Sequence, residues 1–117
     1  MAGPYVPERG DIVWLRSIRR LGMSRQAIRP ALVISPREYN RRVGLALFCP
    51  VTSQVKSYSF EVVLPPGLKA KGAILSDQIK SLDWRVRRAR VLCTVPGDVL
   101  DETIARILAL VDPEEAR

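Results

Sequence analysis

With 117 residues, 47% of them apolar, the chain is long enough for one domain with its own core and too short for two. Its formal charge of +7 suits a polyanionic partner, because Lys and Arg displace counterions from phosphates, although a merely solvated surface accounts for the charge as well. Histidine is absent, which removes the commonest general base, the Ser–His and Cys–His nucleophile pairs and most zinc sites together.

The charge is unevenly placed. Nine arginines fall between Arg9 and Arg42, and a second basic cluster runs from Lys80 to Arg90. From Asp98 onward the sign reverses, with six acids against Arg106 and Arg117. One end of the sequence therefore favours a polyanion and the other does not. The opening ten residues carry no apolar h-region, and no apolar run approaches the ~20 residues of a membrane span. A cytoplasmic protein with no membrane contact is expected, and Cys49 and Cys93, in apolar stretches and without a CxxC spacing, read as buried free thiols.

In chain order, the run 12–15 (IVWL) after Gly10 and Asp11 predicts a first strand. Residues 16–28 show no strand alternation and predict a long loop, of a kind often functional in compact domains. Pro30 starts a second strand over 31–35 (ALVIS), which Pro36 ends, and 36–40 predict a turn or a single helical turn. A strand over 44–49 (GLALFC) is cut by Pro50; further short strands are predicted over 60–64, 72–76 and 91–95. Short strands at turn-punctuated intervals indicate a small barrel or sandwich rather than a βαβ fold.

The C-terminal segment changes period. Asp98 is the predicted N-cap, with Asp101 and Glu102 in a first turn whose dipole favours acids. Leu100, Ile104, Ile107, Leu108 and Val111 form one apolar stripe for packing on the core or in a dimer, and Pro113 ends the helix.

Three polar groups lie just after or before strands, where a rigid frame presents loops. They are Arg29 with Pro30; Thr52, Ser53, Gln54 and Lys56 after Cys49 and Pro50; and Asp77, Gln78, Lys80 and Ser81 ahead of Trp84. Each has a plain reading: Arg29 solvated, Thr52 and Ser53 capping a turn, Asp77 paired with Lys80, Trp14 and Trp84 anchoring the core. The functional reading is a groove for phosphates and unstacked bases, in which Gln reads base edges and Lys or Arg holds phosphates. RNA supplies its own nucleophile, the 2′-hydroxyl, so an enzyme needs to orient it and stabilise a pentavalent phosphate. No metal or cofactor is expected, since the sequence offers no acid or His cluster to hold one.

At these residues the chain resembles the MazF/PemK toxins over nearly its whole length. The stretches that carry the resemblance are 5–14 (YVPERGDIVW), 29–36 (RPALVISP), 49–56 (CPVTSQVK), 60–64 (FEVVL) and 77–81 (DQIKS) with Trp84 and Arg85. The resemblance implies a mainly β fold, an SH3-like small β-barrel of PemK/CcdB type with a C-terminal helix, as a single domain over 1–117 and a homodimer. It implies sequence-specific cleavage of single-stranded RNA, mostly mRNA, to 2′,3′-cyclic phosphate and 5′-hydroxyl ends, and a cognate MazE-like antitoxin whose acidic segment fills the RNA groove. The family's catalytic Arg falls on Arg29 and its catalytic Thr on Thr52; Ser53, Gln54, Lys56, Gln78 and Lys80 take RNA-contact roles. Since CcdB toxins share the architecture, the alternative is a non-catalytic or inactive toxin-fold protein that binds an antitoxin or a topoisomerase.

One segment departs from the family. Where relatives carry an acidic loop, residues 16–28 are strongly basic at preserved length. Codons for the acidic version, read one nucleotide out of register, can give Ser17 through Ile28, so a pair of compensating frameshifts is the reading offered for it.

Overall fold

The computed structural model describes residues 4–17 and 27–114. In chain order these form β1 (Asp11–Arg16), β2 (Ile28–Val33), α1 (Arg37–Val43), β3 (Leu45–Thr52), β4 (Glu61–Val63), β5 (Ala73–Leu75), a 3-10 turn (Ser76–Gln78), β6 (Lys80–Asp83), β7 (Arg90–Thr94) and α2 (Gly97–Val111). The strands pair antiparallel in the order β4-β5-β3-β2-β1-β7, and β6 joins the ladder on β3. β6 is a strand that the sequence pattern did not predict, and α1 outgrows the expected single turn.

β3 is the hub. One of its edges pairs with β2; the other pairs with β6 over Leu45 to Phe48 and then with β5 at Val51 and Thr52. The strand does not stop at Cys49 as expected but runs through Pro50 to Thr52. Pro50 sits at the handover between β6 and β5, where a missing N–H costs no ladder bond.

Alternation along β1, β2 and β3 sorts side chains to two faces. Ile12, Leu32, Ile34, Cys49 and Val51 join Val62, Ile74, Val95 and Val99 in the larger core. Residues from both ends of the ladder meet in that one cluster, so the sheet curls around it, as the expected barrel requires, although the hydrogen-bonded ring does not close. Val13, Leu15, Ala31, Val33, Ala46, Phe48 and Trp84 form a second cluster on the opposite face, covered by Tyr5, Val6, Leu82 and Ala89. Trp84 is the anchor expected there: it is buried, and its indole Nε1 donates to Asn40 O at 2.9 Å.

α2 closes the larger core through Val99, Leu100, Ile104 and Ile107. Its first bonds, Val99 N and Leu100 N to Pro96 O at 3.1 and 3.2 Å, make Pro96 the N-cap, with no side-chain cap. Asp98 therefore lies inside the first turn rather than capping it, still where its charge meets the helix dipole favourably. Leu108 and Val111, expected on a stripe for core or dimer packing, are 38% and 73% exposed in the single chain and so do not pack on its core. Cys49 and Cys93 are both free as expected, but only Cys49 is buried; Cys93 is half-buried. Among the described residues no helix is long and apolar enough to cross a membrane.

Candidate active site

The register of β2 on β3 sets the geometry. Ala31 pairs with Pro50, Leu32 with Cys49 and Val33 with Phe48. The paired register ends at Ala31 and Pro50; Arg29 and Thr52 follow two residues further along their strands, alternation gives both the face of Ala31, Phe48 and Pro50, and both line one depression. Lys80 pairs with Phe48 on the other edge of β3 and so shares that face.

Two adjoining depressions open around these strand ends. The first, of about 220 Å³, has Leu15, Phe48 and Leu82 among its walls and Arg16, Arg29, Lys80 and Arg87 as its cations. The second, of about 630 Å³, is lined by Thr52, Ser53, Gln54, Lys69 and Lys71, with Trp14 and Leu92 on its apolar side. Arg29, Pro30 and Pro50 belong to both. Among the described residues no carboxylate lines either one. Among the described residues no group of three or more His, Cys, Asp or Glu gathers as metal ligands would.

The Thr52 hydroxyl accepts from Gln54 N at 3.1 Å, the turn-capping bond that the plain reading anticipates. That bond uses a lone pair and leaves the hydroxyl proton free to be donated. Capping and chemistry are thus compatible in one side chain.

The structure brings Arg29, Thr52, Ser53, Gln54 and Lys80 to these depressions, whereas Lys56 and Gln78 line neither. Lys56 lies on an exposed loop that is held by its backbone: Lys56 N donates to both Glu61 carboxylate oxygens at 3.0 Å, and Ser57 N to Oε1 at 2.6 Å. Gln78 ends the 3-10 turn beside Asp77, which accepts from the Tyr58 hydroxyl at 2.7 Å instead of pairing with Lys80. That bond, with lesser help from desolvation and nearby acids, holds the Tyr58 phenol above its ordinary range.

Several residues of the site were not anticipated. Lys69 and Lys71 come from the long β4–β5 connection, and Arg87 from the turn after β6. Glu61 is buried beneath the loop it holds. Gly72 has φ +112°, and a Cβ there would lie 1.9 Å from Thr52 O. Only a glycine lets β5 approach Thr52 this closely. A glycine just before a strand was the one available sequence signal.

The atypical segment lies largely outside the described residues, and the frameshift reading with it. Its neck is closed: Ser17 N donates to Ala27 O at 2.8 Å and Ala27 N to Ser17 Oγ at 2.9 Å.

A curled antiparallel sheet that aligns Arg, Thr and Lys on one face beside acid-free depressions defines a small β-barrel protein built to handle a polyanion. Residues 8–111 match the family described as PemK-like, MazF-like toxin of type II toxin–antitoxin system. The Endoribonuclease toxin MazF of Escherichia coli (strain K12) is 40% identical over 111 residues, 95% of this chain and 99% of that protein. Endoribonuclease PemK of Escherichia coli is 31% identical, over 89% of this chain and 81% of its own length. Among solved structures, the MazE–MazF complex (Form-II) from Deinococcus radiodurans aligns with a TM-score of 0.88 at 46% identity, covering 92% of this chain and 97% of that one. The chain belongs to the PemK-like, MazF-like toxin family.

Proposed function

We propose that this protein is a sequence-specific, metal-independent endoribonuclease toxin, a single domain over residues 1–117. It acts in the cytoplasm as a homodimer, cleaves single-stranded RNA, mRNA above all, and is neutralised by a cognate MazE-like antitoxin. The observation that carries the reading is that Arg29 and Thr52 line one depression, and that no described carboxylate lines it or the cationic depression beside it. The relatives described above are endoribonucleases, and the topoisomerase-binding alternative draws no support from them.

The chemistry follows from what these two groups can do. As the RNA 2′-oxygen bonds to phosphorus, the P–O5′ bond breaks and negative charge builds on the non-bridging oxygens. The products are a 2′,3′-cyclic phosphate and a 5′-hydroxyl. The 2′-hydroxyl gives its proton to water, and the departing 5′-oxygen takes one from Arg29 or from water, so protons balance over the step. Arg29 offers a planar fork of N–H donors to the developing charge, and Thr52 one O–H. Arg29 does not serve as the base: a guanidinium with a pKa above ~12 keeps its proton at neutral pH. Its second role is proton donation to the leaving 5′-oxygen.

The test is cleavage of mixed-sequence RNA in EDTA, with the product ends mapped. Arg29→Ala is expected to lower kcat by about 10³-fold and Thr52→Ala by about 10²-fold, the range for losing a preorganised donor to a transition-state oxyanion. No cleavage by the parent protein overturns the endoribonuclease reading. Full cleavage by both variants overturns the residue assignment alone.

A further inference from the structure

One cation on this face takes no part in the cleavage chemistry. Arg87 lies in the turn between β6 and β7, which the Asp83 carboxylate fixes by accepting from Arg85 N and Val86 N at 3.0 Å each. Ala89 N donating to Trp84 O at 3.0 Å closes the turn, and Arg16 N donating to Arg87 O at 2.8 Å ties it to β1. The side chain thus leaves a rigid base and lines the same depression as Arg29 and Lys80.

Its guanidinium is poorly satisfied there. The Nε atom is buried without a hydrogen-bond partner, and Nη1 reaches Arg16 O only at 3.4 Å. A buried donor left unpaired is rare in a folded chain and calls for a missing partner. The partner must be an acceptor, and Arg16, Arg29, Lys80 and Arg87 around one depression with no carboxylate call for an anion. An arginine fork fits two oxygens of a phosphodiester in parallel bonds. Arg87 lines the first depression alone, Thr52 the second alone, and Arg29 both. A phosphate at Arg87 is therefore a different one from the scissile phosphate, which Arg29 and Thr52 hold together.

We propose that Arg87 is a substrate-binding residue that holds an RNA backbone phosphate next to the scissile one, an assignment that rests on the endoribonuclease reading. A phosphate contact fixes register without reading sequence, so its loss weakens all RNA sequences alike.

The test is anisotropy binding of mixed-sequence RNA 2′-O-methylated throughout, which offers no hydroxyl for cleavage, across a range of salt, beside steady-state cleavage of ordinary RNA. Arg87→Gln is expected to weaken binding about tenfold and to reduce the slope of log K against log salt by about 0.7, one single-strand phosphate contact. In cleavage KM rises while kcat stays within about threefold of the parent. Arg41→Gln, on α1 and paired with Glu38, leaves binding and cleavage unchanged. Arg87→Lys keeps the salt slope but regains only part of the affinity, because an ammonium has no fork.

A parent-like slope and KM in Arg87→Gln, with or without a lower melting temperature, would show that Arg87 only pins the turn and would overturn the proposal. If Arg87→Gln does not fold, Arg87→Lys decides: affinity and KM equal to the parent overturn the fork, and a several-fold loss at unchanged slope supports it. A parent that neither binds nor cleaves RNA overturns the endoribonuclease reading, and this assignment with it.

Discussion

β2 and β3 present two faces with different duties. Leu32, Ile34 and Cys49 look into a core sealed by α2, while Ala31, Val33 and Phe48 sit under Trp84 on the opposite face, which opens toward Arg29 and Lys80. Residues adjacent in sequence, such as Cys49 and Phe48, therefore serve different clusters. A strand with a side-chain period of two lets one piece of backbone support a closed core and an open site at once. Stability and chemistry are then separable by single substitutions, and the substitutions that fail to separate them show where the faces are joined.

The largest expected stability effect tests the sealed face. Leu32→Ala removes a fully buried side chain from the core and is expected to cost about 2–5 kcal/mol in urea unfolding. Its kcat, corrected for the folded fraction, should remain within about twofold of the parent, the mirror image of Arg29→Ala, which loses rate at unchanged stability. Loss of kcat in a Leu32→Ala protein that is still folded breaks the separation of the faces.

Gly72→Ala should cost less and damage both faces. Its Cβ would meet Thr52 O at 1.9 Å, and φ +112° disfavours any side chain. Thr52 pairs with Ala73, so relief of the clash displaces the Thr52 hydroxyl along with the β3–β5 ladder. A loss on the order of 2 kcal/mol, from backbone strain and local displacement, should come with a drop of about tenfold in kcat per folded molecule. Parent-like kcat in the folded Gly72→Ala protein shows that Thr52 tolerates the shift, and sharpens the separation instead.

How much of this was legible in the sequence depends on which interactions are local. Strand runs and the period change at α2 follow from patterns of a few residues and agree with the structure, whereas Arg29, Thr52 and Lys80, expected beside strands, lie within β2, β3 and β6. Lys69, Lys71 and Arg87 join the site through pairings that the sequence does not display: the β4–β5 connection and the turn after β6 reach it only because β5 and β6 both dock on β3. β6 itself was read as polar site residues, since its alternation spans only Lys80–Asp83. Pro50 looked like a strand end, because a missing N–H disrupts a ladder wherever a partner needs it; here the two partners change over beside it. Lys56 and Gln78 took RNA-contact roles from the family resemblance, and neither lines the two depressions. A buried Glu61 and the Tyr58–Asp77 bond order their surroundings instead.

The smallest expected effect uses the two thiols as reporters of the sealed face. Burial, aided by the charge of Asp77, pushes the Cys49 thiol up to about 12 from an ordinary 9.0. With the folded value above the unfolded one, the native state keeps a proton that the unfolded chain gives up, so stability falls as pH rises through 9.0 toward 12. Below 9.0 this thiol contributes no pH dependence. A thiol that is buried and protonated is a poor nucleophile, while Cys93 is only half-buried. Titration with a thiol reagent in mildly alkaline buffer should therefore label Cys93 in the native protein and Cys49 only after unfolding, with Leu32→Ala speeding the second reaction by loosening the cross-strand partner of Cys49. Fast labelling of Cys49 in the native parent protein would mean that the core face opens as readily as the groove, and the contrast between the two faces would fail at its simplest point.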